Sequence, residues 1–168
     1  MIKLIPFEQL CSRINLEKIA HWRNQVPETL RSTNRTHPEL QIFWYDKVVA
    51  DKTCRYFYIH NIEDDIIGYC GLDKISTINK TAEISLLINP ELHKTGHGRD
   101  AISELLLYGF EKLKLNCIFA EVYLTTNNWE FWRKMGFKEE GLLRERKFWK
   151  GRFYHSVSGS ILKSEWTK

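Results

Sequence analysis

Residues 89–101 read Asn-Pro-Glu-Leu-His-Lys-Thr-Gly-His-Gly-Arg-Asp-Ala. This stretch has the parts of an anion site. Pro90 closes an alternating apolar segment, and an amphipathic pattern of helical spacing opens at Gly98. Glycines at 96 and 98 let the backbone approach a ligand closely and adopt positive φ. A helix N-terminus offers unpaired N–H groups and about half a positive charge. Lys94 and Arg99 add full charges beside it. Together, His93, Lys94, Thr95, Gly96, His97, Gly98 and Arg99 form a loop suited to a pyrophosphate.

Context separates this loop from two other phosphate cradles. Gly96-x-Gly98-x-x-Ala101 fits a dinucleotide fingerprint, but that motif follows the first strand of a parallel βαβ sheet. Here a run of hairpin-like strands comes first. A Walker A loop needs Gly-Lys-Ser/Thr, which the chain lacks.

The segment before the loop, Thr-Ala-Glu-Ile-Ser-Leu at residues 81–86, alternates as a strand. Glu83, Ser85 and Leu87 share one face, and Ala82, Ile84, Leu86 and Ile88 share the other. Farther on, residues 144–152 interleave Arg144, Arg146, Lys147, Lys150 and Arg152 with Phe148 and Trp149. Such interleaving serves single-stranded nucleic acid, an anionic small substrate or a solvated hairpin, of which the hairpin is the plainest account.

The elements that must position these residues follow from periodicity. Residues 2–6 read as a first strand. Residues 16–23 read as a helix with Asn15 as its N-cap. Pro38 opens a second helix reaching Ala50, whose Leu40, Phe43, Trp44 and Val48 are expected to be mostly core. Residues 55–60, 66–73 and 81–89 form a strand meander with polar connections. Residues 98–113 form a long amphipathic helix. Residues 116–124 are a strand, and 127–135 a short helix stopped by Gly136. Two last strands, 137–146 and 153–162, turn at Lys150-Gly151. The order is β-α-α-β-β-β-α-β-α-β-β.

Composition bounds the rest. The 168 residues, 43% hydrophobic, suffice for one core and not two. No apolar run approaches the ~20 residues of a membrane helix. Met1-Ile2-Lys3-Leu4-Ile5-Pro6 does not read as a signal peptide, so a cytoplasmic protein with no membrane partner is expected. The four cysteines are dispersed and the six histidines lack ligand spacing. Reduced thiols and no metal are therefore expected. The net charge of +4 suits a phosphorylated ligand, and equally a nucleic acid.

At the Gly96-His97-Gly98 loop the sequence resembles the GNAT acetyltransferases, which carry Gln/Arg-x-x-Gly-x-Gly/Ala before a long helix. His93 stands where the family has Gln or Arg. The stretch 127–137, ending Lys134-Met135-Gly136-Phe137, is similar to the family's short helix. Glu140-Gly141-Leu142-Leu143-Arg144 with Gly151-Arg152-Phe153-Tyr154, and Trp22-Arg23-Asn24 with Arg31, resemble one branch. That branch holds ribosomal-protein N-terminal, spermidine and amino-sugar acetyltransferases. The resemblance spans nearly the whole chain.

It implies an α/β (mixed α+β) GNAT fold as one domain over 1–168. The central sheet would be mostly antiparallel and twisted, with a βαβ-like cofactor crossover. The implied cosubstrate is acetyl-CoA, with its pyrophosphate on the loop and its pantetheine along the backbone of Leu86, Leu87 and Ile88. Glu83 becomes the candidate base, since a primary amine with a pKa of about 10 is mostly protonated at neutral pH and must lose a proton before it attacks the thioester carbonyl. Trp132 stands where relatives have a tyrosine that protonates the thiolate, and it is assigned to packing at the cofactor. Tyr123 or Tyr154 then supplies the acid, or water does. The family asparagine falls on Thr125 without a gap, and on Asn127 or Asn128 with a small shift. Trp22, Arg23, Arg31 and Tyr154 are expected at the acceptor. The arginines favour a small anionic amine such as a nucleotide-linked amino sugar. A protein α-amine or a polyamine is the alternative, and a non-catalytic coenzyme- or nucleic-acid-binding module is the rival from another class. Nucleic acid is not the expected partner, and pairing into a homodimer stays open.

Overall fold

The structure is a computed structural model that describes residues 2–10, 12–32 and 34–166. Seven strands, β1 (Lys3–Pro6), β2 (Arg55–His60), β3 (Ile66–Ser76), β4 (Thr81–Ile88), β5 (Cys117–Tyr123), β6 (Lys138–Trp149) and β7 (Arg152–Leu162), form one sheet. Its order is β1-β2-β3-β4-β5-β7-β6. Only β4 and β5 pair in parallel, and every other neighbouring pair is antiparallel. The helices are α1 (Arg13–Gln25), α2 (Pro38–Ala50), α3 (His97–Leu107) and α4 (Trp129–Lys134). Their order along the chain is the one the periodicity predicts.

Three departures from the expected elements have identifiable reasons. The α1 N-cap is Ser12, not Asn15: its hydroxyl accepts from the Asn15 N–H at 3.2 Å. Residues 13–15 thus lie inside the helix, where Arg13 pairs with Glu17 at 3.0 Å. The expected long helix is α3 followed by a π-helical segment, Tyr108–Lys112. In α2 the buried stripe is Gln41, Tyr45 and Val48, while Leu40 and Phe43 are exposed. Phe43 shares its side of the helix with the exposed Glu39, Asp46 and Lys47, three or four residues away, so it turns outward with them. On the inward side the Tyr45 hydroxyl donates to the Phe7 carbonyl at 2.9 Å.

Each face of the sheet carries its own core. On one side Ala101, Ile102, Leu105, Leu106 and Phe110 pack against Leu72, Ala82, Ile84, Ile118 and Ala120. Each buried Leu or Ile here contributes ~1.5–3 kcal/mol. Gly109 permits close approach: a Cβ there would lie 2.7 Å from Ile118 Cδ1. On the other side α1 and α2 cover an aromatic cluster of Phe7, Trp22, Tyr45, Tyr56, Tyr58 and Tyr69. Cys54, Cys70 and Cys117 are free thiols. Burial pushes the Cys54 thiol up to about 12, aided by the nearby Asp73 charge, so it is inert at neutral pH. The remaining cysteine, Cys11, lies outside the described residues.

The feature that makes a site is a fork. The β4–β5 register runs only through Thr81–Cys117, Ala82–Ile118 and Glu83–Phe119. Beyond Glu83, β4 continues to Ile88 alongside β3, and β5 continues to Tyr123 alongside β7. The edges of β4 and β5 that face each other thus part from Ile84 onward.

Candidate active site

The loop and the N-terminus of α3 lie at the far end of β4. Gly96 is the N-cap residue, with φ 96° and ψ −18°, and no side chain caps the helix. The Asp100 N–H donates to the Gly96 carbonyl at 3.1 Å, which closes the first turn. Side chains brace the loop from behind. His93 Nε2 donates to the Ile88 carbonyl at 3.2 Å, tying the loop to the strand end. The Thr95 hydroxyl donates to the Leu92 carbonyl at 2.6 Å and lies 2.6 Å from His97 Nδ1. Lys94 and Arg99 are exposed beside it.

The geometry fits a pyrophosphate and its attached arm. A Cβ on Gly96 would meet nothing within 4 Å, so the approach to the helix N-terminus is open. A Cβ on Gly98 would sit 3.4 Å from Leu86 Cδ2, 3.6 Å from Ile88 Cγ1 and 3.7 Å from Phe131 Cε2. Gly98 therefore faces the space between β4 and α4. Free helix-end amides, two cations and an open strand edge in one line are a built anion-and-peptide-like site.

The other face of the fork is built from side chains far apart in sequence. Glu83 is 7% exposed. Its Oε1 accepts from Arg31 Nη2, and its Oε2 forms a 2.6 Å ion pair with Lys74. Arg31 also reaches across the fork, 4.0 Å from Glu121 Oε2. Burial pulls the Arg31 guanidinium down, but the Glu83 charge and hydrogen bonds with Glu83 and Tyr123 outweigh it and raise its pKa. One arginine thus bonds Glu83 on β4 and is close enough to Tyr123 on β5 to be influenced by it.

The segment carrying Arg31 is pinned from the opposite strands. Lys147 Nζ donates to the Leu30 carbonyl and, at 3.5 Å, to that of Pro27. Burial lowers the Lys147 pKa, partly offset by the charge of Glu28. The same ammonium lies 5.0 Å over the Tyr123 ring. The Thr125 hydroxyl donates to the Glu28 carbonyl at 2.8 Å. Glu121 in turn accepts from the Ser156 hydroxyl at 2.6 Å.

The remaining expected residues divide. Arg23 donates to the Tyr69 hydroxyl at 3.2 Å and stacks 5.8 Å over Trp44. Tyr69 is the cross-strand neighbour of Leu87, so Arg23 borders the fork on the Glu83 face. Trp22 is a member of the aromatic core. Trp132 is buried between Phe131 and Phe137, edge-on to both, while its neighbour Phe131 meets Gly98. The Tyr154 hydroxyl accepts from Arg152 and sits opposite Lys147 in the β6–β7 register. Asn127 is exposed, and its carbonyl starts α4 by accepting from Glu130. Sequence reasoning missed Glu121 and Lys74, and it met Lys147, Thr125 and Phe131 only as members of a basic run or a family motif, without these contacts. Strand alternation puts Glu121 on the face of Phe119 and Tyr123, which is the one signal that pointed to it. Among the described residues no cluster of three His, Cys, Asp or Glu is arranged to hold a metal, and no helix is long and apolar enough to cross a membrane.

A family model described as an acetyltransferase (GNAT) domain matches residues 11–158. The chain belongs to the GNAT acetyltransferases. It is 34% identical over 166 residues to the uncharacterized N-acetyltransferase p20 of Bacillus licheniformis, covering 98% of this chain and 92% of that one. It is 31% identical over 123 residues to a spermidine N(1)-acetyltransferase of Vibrio cholerae, covering 73% and 71%. A crystal structure of spermidine N-acetyltransferase from Vibrio cholerae, in complex with CoA and spermine, superposes with a TM-score of 0.87 at 26% identity, covering 98% of this chain and 96% of that one. The chain is thus an acyltransferase with the mixed α/β fold of that family, as its motifs imply.

Proposed function

We propose that this GNAT enzyme transfers the acetyl group of acetyl-CoA to the primary amine of a small metabolite. The observation that carries the reading is Glu83, a buried carboxylate at the crotch of the β4–β5 fork, with the open α3 N-terminus at the other end of the same strand. Acetyl-CoA supplies the thioester carbonyl. The amides of Gly98 and Arg99 and the cations of Lys94 and Arg99 hold its pyrophosphate. His93 and Thr95 keep the loop in shape, with His97 beside Thr95. The free edge of Leu86, Leu87 and Ile88 lines its arm, and a strand N–H there serves as an oxyanion donor. Asn127 and the α4 aromatics, Phe131 with Trp132 behind it, close the side of that channel.

Glu83 takes the proton of the acceptor ammonium, directly or through a water. Tyr123 is positioned on the facing strand, and we assign it the return of a proton to the leaving thiolate. Arg31 bonds Glu83 and lies near Tyr123, so its removal or displacement must accompany acceptor binding. Arg23 and Tyr154 border the acceptor space, and Trp22 supports it from the core.

The acceptor's charge separates two readings. A nucleotide-linked amino sugar, expected from the arginine-rich segment, relies on cations that are free to meet phosphate. Arg31, Arg23, Lys147 and Arg152 already have protein partners, which leaves Arg35, Arg144 and Arg146. Two carboxylates facing the fork, Glu83 and Glu121, favour the second reading, a polyamine. Matched low-salt kinetics with an amino-sugar nucleotide and with spermidine decide it. A higher kcat/KM for the sugar nucleotide, weakening with salt, supports the first; the reverse ranking supports the second. Release of CoA with no amine in a broad panel would refute acetyl transfer and leave a coenzyme-binding module. Pairing of two copies through the exposed Phe148–Phe153 edge of β6 and β7 is a further proposal, tested by sedimentation.

A further inference from the structure

Arg31 is an unusual neighbour for a catalytic base. It occupies Oε1 of Glu83, the oxygen that Lys74 does not hold, and it does so from a segment without regular structure. Its side chain is more than half exposed, so it is free to swing, whereas Glu83 is not. Its segment is anchored at the backbone by Lys147 and Thr125, so the swing belongs to the side chain and not to the loop. A cation leaving Glu83 needs another anion within reach. Glu121 Oε2 is already 4.0 Å from the same Nη2. Glu121 is itself fixed by Ser156, which holds Oε1 and leaves Oε2 toward the arginine.

We propose that Glu121 is a positioning residue that receives Arg31 when the acceptor amine takes its place on Glu83. The inference rests on the acetyl-transfer reading above. In the free enzyme Arg31 and Lys74 together compensate Glu83, one on each carboxylate oxygen. With the acceptor bound, the ammonium replaces the guanidinium on Glu83, and a small rotation carries Arg31 onto Glu121. The ammonium adds one positive charge to the fork, and the shift pairs the displaced guanidinium with the Glu121 carboxylate, so Glu83 keeps a cation and Arg31 keeps an anion. Glu121 touches no substrate in this scheme and acts only through Arg31.

The test is a double-mutant cycle on acetyl transfer to the best amine substrate. Glu121→Gln is expected to lower kcat/KM for the amine about tenfold, with the KM for acetyl-CoA unchanged. In an Arg31→Met background the same change is expected to alter kcat/KM by less than about twofold, because there is no cation left to receive. Equal losses in both backgrounds, or no loss in the parent enzyme, overturn the proposal. A second measurement needs no turnover. In a crystal structure of the folded Glu83→Gln variant, Arg31 should bond Glu121 at about 3 Å. Arg31 remaining on residue 83, or turning to solvent, overturns the proposal even if no amine is acetylated; that absence of turnover would by itself count against acetyl transfer instead.

Discussion

The two sides of β4 are built by opposite means. The loop side is backbone: Gly96, Gly98 and the uncapped first turn of α3, with side chains bracing from behind. All of it lies within a dozen consecutive residues. The acceptor side is side chains: Arg31, Lys74, Glu83, Glu121 and Lys147, drawn from five separate segments. On the proposed function, the backbone groups recognise what all members of a family share, a pyrophosphate and its arm, and the side chains recognise what differs, the amine. The first is therefore tolerant of side-chain change and intolerant of backbone change, and the second is the reverse.

The largest effect should come from the acceptor side. Glu83→Gln is expected to lower turnover about a hundredfold, the usual contribution of a positioned base. Acetyl-CoA affinity should be unchanged, since the loop does not depend on Glu83. The deficit should shrink as pH rises toward the pKa of the acceptor, because free amine then forms without a base. A variant whose pH–rate profile matches the parent's would remove Glu83 from proton transfer.

On the loop side, Gly98→Val is expected to weaken acetyl-CoA about thirtyfold, ~2 kcal/mol, by calorimetric titration. Gly98 has ordinary helical backbone, and the first added carbon meets Leu86, Ile88 and Phe131 at normal contact distances. The variant should therefore fold. Binding suffers because the side chain fills the space beside the strand edge. Unchanged affinity would put the cofactor elsewhere.

A smaller effect should follow from loosening the Arg31 segment. Lys147→Met removes the donor to the Leu30 and Pro27 carbonyls and is expected to raise the amine KM about fivefold, ~1 kcal/mol. The acetyl-CoA KM should not move. The stability difference also has a pH signature. Burial holds the folded-state pKa of Lys147 below its ordinary 10.5. Between those values the unfolded chain binds more protons than the folded one, so the parent gains stability as pH rises through that window. The Met variant lacks this gain, so denaturant titrations should show the gap between the two widening toward pH 10.5. A constant gap would mean that Lys147 is not held against its charge.

The same contrast explains what could be read from the sequence. The loop was legible because its parts are contiguous and its glycines are types with few other uses. Glu83 was legible because strand alternation gives it a face. Arg31 was picked out through resemblance alone, and the alternation that puts Glu121 beside Tyr123 carries no hint of Arg31, ninety residues away. Lys147 stood out only as part of a basic run, while its role depends on carbonyls of residues 27 and 30. In α2 the failure was of another kind. Aromatic content alone pointed inward, whereas Phe43 lies among Glu39, Asp46 and Lys47 on the charged side, and Tyr45 lies inside with its hydroxyl on the Phe7 carbonyl.

The smallest expected effect sharpens the contrast most. Gly96 and Gly98 are two residues apart, yet their reasons for being glycine differ. A Cβ on Gly96 enters empty space, but the residue's φ of 96° is one that L side chains rarely adopt. Gly96→Ala should therefore cost stability, ~1 kcal/mol, and lower Tm by about 2–4 °C for a chain of this size. Its loss in acetyl-CoA affinity should stay below that of Gly98→Val, since the alanine methyl does not enter the space beside Leu86 and Phe131. Gly96→Asn should recover part of the lost Tm, because asparagine tolerates left-handed backbone better than alanine does. Calorimetry with and without acetyl-CoA on the three variants gives both quantities. If alanine at 96 leaves Tm unchanged, or if asparagine does no better than alanine, the positive φ is not what the loop requires there, and the backbone account of the cofactor side fails at its first residue.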